Sequence, residues 1–393
     1  MENFYYNIPT KIHFGKDACS YIGKEAKLFG KKALLIYGGG SVRKIGAYDD
    51  VMKSLDAAGV EHLDFSGIKP NPDINKVNEA VRLCKKEHVD MLIPIGGGST
   101  IDSAKAIAAG VFYDGDVWDL VLEHSRITEC LPILAVPTLA ATGSEMDFDG
   151  LICNPDTGEK IQICSEKMIP QYAYMNPIYT YSVPAAMTAA GTADILSHLF
   201  EVYFIRTDGA YLQQRMIEAV MKTCFHYGTV ALKEPNNYEA RANLLWAASW
   251  GCNGMFWNGK IAKRSAAHPM EHQLSGRYDT THGAGLSVLI PHLMHYTLNE
   301  KTVDMYVEYG IHVLGIDSHL DRYEIANLSI DKTREYFLSW GLPETLRDMG
   351  IPDTSEFEKL SERAVGKNGF IDAYIPLYKE DVMNIYMRAF YGA

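Results

Sequence analysis

The stretch that decides the fold is residues 90–110, "DMLIPIGGGSTIDSAKAIAAG", in which a short apolar run leads into three glycines and an alanine-rich segment. The apolar run predicts a buried strand and the segment after the glycines predicts a helix. Residues 31–59 repeat this pattern, with "KKALLIYGGGS" followed by helical spacing that ends at a glycine. A further helical stretch (77–89) lies directly before the apolar run at residues 90–96. "CLPILAVPT" (130–138) is a third apolar run. Strands that alternate with helices predict βαβ units and a parallel sheet.

The character of the sequence changes after "MNPIYTYSVP" (175–184). From there on, long stretches rich in Ala, Leu, Met and Glu predict helices, as in "YLQQRMIEAVMKTCF" (211–225) and "YEARANLLWAASWG" (238–251). The sequence therefore predicts two domains, an α/β domain over residues 1–180 and an all-helical domain over residues 181–393.

Bulk composition excludes several classes of function. The 393 residues carry a formal net charge of −12, which disfavours nonspecific binding to nucleic acid or to an anionic membrane surface. No run of roughly 18 apolar residues predicts a membrane span, and the first residues lack the pattern of a signal peptide. The seven cysteines are scattered without a C-x-x-C pair, which argues against a disulfide framework and a cysteine zinc site. We expect a cytoplasmic protein.

Two loops of identical sequence could hold an anionic ligand. Gly38-Gly39-Gly40-Ser41 and Gly96-Gly97-Gly98-Ser99 each follow a predicted strand and open a predicted helix. Glycine lets a ligand approach the backbone closely, and the N–H groups at a helix start favour phosphate. Neither loop is a G-x-G-x-x-G fingerprint or a Walker loop, and either one alone could be an ordinary tight turn. Two such loops at equivalent positions favour nucleotide binding.

Asp194 and His198 lie four residues apart in "GTADILSHLFE" (191–201), so a helix would place both on one face. Such a pair can be an ion pair, an acid/base couple or half of a metal site. His268 and His272 follow in "AAHPMEHQLSG" (266–276), and His282 in "YDTTHGAGL" (278–286). Any one of these histidines alone is more typical of a structural role. One carboxylate with the imidazoles of residues 198, 268 and 282 would suit Fe²⁺ or Zn²⁺, and is too rich in nitrogen for Ca²⁺ or Mg²⁺.

The motifs "GTADILSHLFE", "AAHPMEHQLSGRYDTTHGAGL", "IPIGGGSTIDSAKAIA" and "PTLAATGSE" together resemble the iron-containing (group III) alcohol dehydrogenases, in particular the butanol dehydrogenase and aldehyde reductase branch. The resemblance begins at "NIPTKIHFGK" (7–16) and covers nearly the whole chain. It implies a Rossmann-like nucleotide domain joined to a helical metal-binding domain, the architecture of dehydroquinate synthase. It also implies a homodimer that interconverts primary alcohols and aldehydes by hydride transfer with NAD(P)H and one divalent metal.

The resemblance also assigns roles to individual residues. The metal ligands fall on Asp194, His198, His268 and His282. His272 lies beside the metal, where it could pass a proton to solvent, orient a ligand or pack against the cofactor. The positions that match nucleotide contacts are Gly97, Gly98 and Ser99 in the pyrophosphate loop with Asp102 nearby, Thr138 and Thr142 along the nucleotide, Lys160 near the nicotinamide-side ribose, and Gly39, Gly40, Ser41 and Asn71 near the site of a 2′-phosphate.

One departure from the family pattern bears on the cofactor. NAD-preferring relatives often carry Asp at the position of Gly40, and here Ser41, Arg43 and Lys44 follow it. The resulting space and positive charge favour NADP(H) and leave NAD(H) open, because the absence of a repulsive group does not create a preference.

Two rival functions share this architecture. Glycerol-type polyol dehydrogenases resemble the chain but have no ligand at the position of His198. A lyase that resembles dehydroquinate synthase would need several cations around the metal for its anionic substrate, and only Lys263, Arg264 and Arg277 lie close in sequence. A non-catalytic binding protein would need no such combination of metal and nucleotide sites.

Overall fold

The structure is a computed structural model that describes residues 1–263 and 265–392. Within these residues the chain forms ten strands, each three to six residues long. In chain order they are β1 (Lys11–Phe14), β2 (Lys32–Tyr37), β3 (Glu61–Ser66), β4 (Met91–Gly96), β5 (Leu134–Pro137), β6 (Asp149–Asn154), β7 (Glu159–Cys164), β8 (Tyr172–Met175), β9 (Phe370–Asp372) and β10 (Pro376–Tyr378).

The described residues also form fifteen α-helices, and the longest of them follow residue 184. In chain order they are α1 (Ile22–Ala26), α2 (Ser41–Lys44), α3 (Ala47–Ala58), α4 (Ile74–Glu87), α5 (Gly98–Gly110), α6 (Val117–Leu122), α7 (Ala185–Tyr203), α8 (Tyr211–Lys233), α9 (Tyr238–Cys252), α10 (His268–Tyr278), α11 (His282–Thr297), α12 (Val303–His312), α13 (Arg322–Ser339), α14 (Phe357–Val365) and α15 (Lys379–Tyr391).

The elements divide into two compact units. The sheet unit comprises residues 7–183 and 235–253, and the helical unit comprises residues 1–6, residues 184–234 and the chain from Gly254 onward. The sheet unit contains a six-stranded sheet in the order β1-β8-β5-β4-β2-β3, and all of its strand pairs are parallel. Strands buried on both faces read as continuous apolar runs, which explains the lack of alternation in β2 and β4. The predicted parallel sheet is confirmed.

The unit borders differ from the expected division at residue 180. Helix α9 belongs to the sheet unit, whereas the sequence placed it with the helical domain. The physical reason is its buried face, on which Leu245 packs with Ile101 of α5, Ala135 of β5 and Ala173 of β8 in one apolar cluster. Helical periodicity reports that α9 has a buried face and cannot report which partner covers it.

Two further details depart from the sequence expectation. The helix expected across residues 42–59 is broken into α2 and α3 because Gly46 has a φ of 78°, a left-handed conformation that interrupts a helix. The region expected to be all-helical contains the antiparallel hairpin of β9 and β10. Among the described residues, no helix is long and apolar enough to cross a membrane.

A buried lysine anchors α5, the helix that follows the second glycine loop. The Lys105 side chain is 0% exposed, and its Nζ donates to Ser144 Oγ at 2.9 Å, to the Asp149 carbonyl at 2.6 Å and to the Asp147 carboxylate. Burial acts to lower the pKa of Lys105, but Asp147 and Asp102 outweigh it and the net shift is upward. Lys105 is therefore a cation inside the sheet unit, compensated by buried carboxylates.

Candidate metal centre and nucleotide loops

Helix α7 is mostly apolar and places three ionisable side chains on one face. Asp194, His198 and Glu201 occupy positions i, i+4 and i+7, which recur on the same side of an α-helix. Asp194 and Glu201 are buried and His198 is partly buried. Burying a polar or charged side chain costs free energy unless it is hydrogen-bonded, paired with an opposite charge or bound to a metal.

Two other helices bring imidazoles to Asp194. His268 is the first residue of α10 and His282 is the first residue of α11. The Asp194 Oδ1 atom lies 3.5 Å from His198 Nε2, 3.9 Å from His268 Nε2 and 3.6 Å from His282 Nε2. The four predicted ligand residues therefore converge, and each histidine turns the same ring nitrogen toward one carboxylate oxygen.

The spacing and chemistry of these four groups fit a divalent cation. Ligand atoms arranged tetrahedrally about 2.1 Å from an ion lie roughly 3.4 Å apart, close to the distances found here. His268 Nε2 is buried and makes no hydrogen bond, which is unfavourable for a ring nitrogen unless it binds an ion. One carboxylate and three imidazoles are a donor set for Fe²⁺ or Zn²⁺.

Burial and neighbouring groups favour the neutral form of the His198 ring, which is the form that can bind a metal. Burial lowers the pKa of His198 well below its usual value, and the neighbouring His268 and His282 lower it further. A histidine with a low pKa is neutral near pH 7 and keeps a lone pair for a metal. Burial acts to raise the pKa of Glu201, but the contact with His268 outweighs it and the net shift is downward, so this carboxyl group is ionised.

Two carboxylates behind the candidate ligands were not predicted from the sequence. Glu201 Oε2 accepts a hydrogen bond from His268 Nδ1 at 2.6 Å, and Glu271 Oε2 accepts one from His282 Nδ1. Carboxylate partners of this kind orient metal-binding histidines and fix their tautomers. A signal existed for both, because Glu201 continues the i, i+4, i+7 face of α7 and Glu271 lies one helical turn after His268.

His272 lies beside this cluster on α10. Its ring centroid is 5.7 Å from that of His268 and 5.2 Å from that of His282, with which it stacks at 28°. The structure thus brings His272 next to the four converging residues, on the side of the His282 ring.

In the sheet unit, the second glycine loop surrounds the start of α5. Gly97 caps the helix and Gly98 begins it. A Cβ added to Gly98 would lie 2.3 Å from Thr142 Oγ1, so only glycine fits beside this threonine. The Thr138 N–H donates to the Gly96 carbonyl at 2.9 Å. The loop and both threonines expected along a nucleotide therefore meet at the carboxyl ends of β4 and β5, where open α/β sheets bind ligands.

Asp102 lies behind this loop, and Ser99 is on its partly exposed rim. The Asp102 carboxylate accepts hydrogen bonds from Ser144 Oγ at 2.6 Å and from the Leu151 N–H at 3.1 Å. Asp102 is also buried, so it stabilises the start of α5 from within the sheet unit.

The first glycine loop is open, and two expected contact residues meet each other. Gly39, Gly40 and Ser41 are exposed, and a Cβ added to either glycine would meet nothing within 4 Å. Elsewhere in the sheet unit, Lys160 Nζ donates to Asn71 Oδ1 at 3.1 Å, and Asn71 has a φ of 59°.

The positive charge next to this loop is partly neutralised by a neighbouring carboxylate. The Arg43 guanidinium donates to Asp64 at 3.1 Å and lies 3.5 Å from the ring centroid of Tyr48. The sequence alone presents Arg43 as an available cation. The structure shows that Asp64 shares its charge.

Comparisons with known proteins agree with both halves of this picture. A family model described as "Iron-containing alcohol dehydrogenase" matches residues 9–177, and one described as "Fe-containing alcohol dehydrogenase family, C-terminal" matches residues 188–390. NADH-dependent butanol dehydrogenase A of Clostridium acetobutylicum is 46% identical over 99% of this chain and 100% of that protein. The NADPH-dependent aldehyde reductase YqhD of Escherichia coli is 33% identical over 94% of this chain and 95% of that protein.

Solved structures give the same result. The crystal structure of NADH-dependent butanol dehydrogenase A from Thermotoga maritima superimposes with a TM-score of 0.93 and 36% identity, covering 99% of both chains. The family models and these relatives span both units of the chain, and the chain therefore belongs to the iron-containing alcohol dehydrogenase family.

Proposed function

We propose that the chain interconverts primary alcohols of the butanol type and the corresponding aldehydes by hydride transfer with NAD(P)H and one divalent metal. The observation that carries the proposal is the convergence of three histidine Nε2 atoms on the Asp194 carboxylate, in a chain that also carries a glycine loop at a helix start. The names of the relatives, butanol dehydrogenase and aldehyde reductase, support the substrate class.

Different residues of the chain would bind the metal and the cofactor. A divalent cation held by Asp194, His198, His268 and His282 would supply Lewis acidity toward the substrate oxygen, worth several kcal/mol in the transition state. Gly97, Gly98 and Ser99 would bind the pyrophosphate through backbone N–H groups at the start of α5. Holding the nicotinamide and the substrate carbon about 3–3.5 Å apart supplies much of the remaining rate enhancement.

We assign His272 to proton transfer between the substrate oxygen and solvent. Its ring stacks on that of His282, whereas the three imidazoles proposed to bind the metal are those within 4 Å of Asp194 Oδ1. His272 can therefore gain and lose a proton without breaking a bond to the metal. The competing role is to orient the His282 ring, against which it stacks.

The structure supports a cofactor preference weaker than the one the sequence indicates. Gly40 leaves room for a 2′-phosphate, which supports use of NADPH. Asp64 already engages Arg43, so binding does not depend on a phosphate to neutralise that cation, which supports use of NADH. We propose that the enzyme accepts both cofactors, as the NADH-dependent and NADPH-dependent names of its relatives suggest.

The two rival functions fit the site less well. His198 presents its Nε2 to the common carboxylate, which a polyol dehydrogenase of the three-ligand type would not require. Of the three cations that a lyase might use, Lys263 pairs with Asp372 at 2.6 Å and Arg277 pairs with Glu356 at 3.2 Å. Arg264 lies outside the described residues.

The direct test is turnover by metal-reconstituted protein. We expect loss of reduced-cofactor absorbance with butanal and either NADPH or NADH, and no loss with chelator-treated protein, because the carbonyl must be polarised. Glycerol serves as the comparison substrate and should be oxidised far more slowly than butanol. Absence of turnover on short and medium aldehydes by protein that contains the metal would refute the dehydrogenase and favour the lyase.

We also propose that the enzyme is a cytoplasmic homodimer. Within the described residues, β1 pairs on one side only, with β8, so it is an edge strand of the sheet. Beside it, Phe14 and Trp246 are 42% and 37% exposed and border a groove of about 250 Å³. An exposed, apolar edge is a template for a second copy, and two-fold symmetry would pair the two edges antiparallel. The seven cysteines all lie in the described residues and form no disulfide there, which supports a reducing compartment.

Light scattering tests the dimer. Phe14→Asp should halve the molar mass, since it places a charge in the proposed interface. Phe112→Asp, at another exposed phenylalanine of the same unit, should leave the mass unchanged. A wild-type monomer, or equal masses for both variants and the wild type, would exclude an interface at this edge.

A further inference from the structure

Glu201 is bound by donors on both of its oxygens. Its Oε1 accepts hydrogen bonds from the backbone N–H groups of Ala267 at 2.7 Å and His268 at 3.0 Å. Its Oε2 accepts one from the His268 ring at Nδ1, at 2.6 Å. One carboxylate therefore holds both the start of α10 and the orientation of its first side chain.

Glu271 holds His282 in a different way. Its Oε2 accepts hydrogen bonds from His282 Nδ1 and from Ser275 Oγ, the latter at 3.2 Å. These two donors meet the same oxygen. An amide at this position can satisfy both of them by turning its one oxygen toward them.

The difference matters because a carboxylate only accepts hydrogen bonds, whereas an amide has one accepting oxygen and one donating nitrogen. A carboxylate opposite Nδ1 obliges that nitrogen to carry the ring proton, which leaves Nε2 with the lone pair that a metal needs. We propose that Glu201 is a positioning residue that fixes the metal-binding tautomer of His268, and that the hydrogen bonds to both of its oxygens make a carboxylate irreplaceable at this position. This inference rests on the proposed metal centre.

A glutamine at position 201 would face conflicting demands. The two backbone N–H groups require its oxygen, so its NH₂ group must point at His268 Nδ1. The ring would then accept a hydrogen bond at Nδ1 and carry its proton on Nε2, the atom that faces Asp194. This is the tautomer that cannot bind a metal through Nε2. Turning the amide round would set its NH₂ group against two other donors.

The test compares Glu201→Gln with Glu271→Gln, two identical chemical changes behind two ligands of the same site. We expect Glu201→Gln to weaken Zn²⁺ binding roughly 100-fold and Glu271→Gln to weaken it less than about 10-fold, at the two ends of the range typical of such partners. The affinities are measured by competition with a chromophoric zinc chelator. Equal losses in the two variants would overturn the inference.

A second readout separates tautomer control from a merely structural role. In metal-free protein labelled with ¹⁵N-histidine, at alkaline pH where the rings are neutral, His268 should carry its proton on Nδ1 in the wild type and on Nε2 in Glu201→Gln. The signal is assigned by its loss in His268→Gln. A wild-type His268 with its proton on Nε2 would overturn the inference even if Glu201→Gln failed to fold.

The proposed function and this inference fail in different ways. If the wild type binds no stoichiometric metal and does not reduce butanal, the metal centre itself is wrong. If the wild type binds metal and turns over, while both glutamine variants lose affinity equally, only the role of Glu201 is wrong.

Discussion

Replacing Asp194 by asparagine is expected to release the metal and to lower turnover by on the order of 10³-fold, while the affinity for NAD(P)H stays unchanged. Asn keeps the shape of the side chain and removes the charge toward which three imidazoles point. The rate estimate corresponds to loss of the several kcal/mol that a metal contributes. Metal content by elemental analysis, butanal reduction and titration with NADPH measure the three quantities separately.

The matched control is Asp331→Asn. Asp331 also pairs with a histidine in the helical unit, His295 at 3.3 Å, but the carboxylate is 54% exposed. This variant should retain both metal and activity, since exposed ion pairs contribute little. Loss of cofactor binding in Asp194→Asn with full retention of metal would contradict the roles assigned to the two units.

Replacing Lys105 by methionine is expected to destabilise the sheet unit by about 3–5 kcal/mol. Methionine fills a similar volume but leaves the buried Asp147 carboxylate without its cation, and an uncompensated buried charge is the costly outcome. Burial raises the pKa of Asp147 well above its usual value, and the positive charge of Lys105 opposes this shift. Without Lys105 the folded-state pKa of Asp147 lies still further above the unfolded value, so the stability of the variant falls more as pH rises. The deficit should therefore be smaller in acidic than in alkaline buffer.

Urea denaturation at two pH values measures this effect, with Lys85→Met as the control. Lys85 pairs with Asp114 at 3.3 Å on the surface of the same unit, and the Asp114 carboxylate is fully exposed. This change should cost no more than about 1 kcal/mol. Equal midpoints for the two variants would show that the buried network of Lys105 does not stabilise the fold.

The sheet and the candidate metal ligands were accessible from the sequence because their signals are local or come from recurring motifs. An apolar run followed by glycines identifies a strand and its loop wherever it occurs, and β2 and β4 both conform. The spacing of Asp194 and His198 places them on one helix face without knowledge of the rest of the fold. His268 and His282 were candidates by residue type, and the resemblance to a family placed them in one site with this pair, a convergence that no spacing could give.

What the sequence could not give depends on contacts between distant segments. The placement of α9 on the sheet arises from the partners of Leu245, which lie in three other elements. The pairing of Arg43 in α2 with Asp64 in β3 joins segments about twenty residues apart and changes the electrostatic argument for the cofactor. Glu201 and Glu271 carried a helical signal, but a carboxylate becomes recognisable as a histidine partner only when the ring it faces is known.

The most direct test of the central claim is an anomalous diffraction map of crystals of the zinc-loaded protein, recorded at the zinc edge. Our account requires a single strong peak about 2.1 Å from an Asp194 carboxylate oxygen and from the Nε2 atoms of His198, His268 and His282. A peak at another place, or one of these four side chains turned away from the ion, would contradict it.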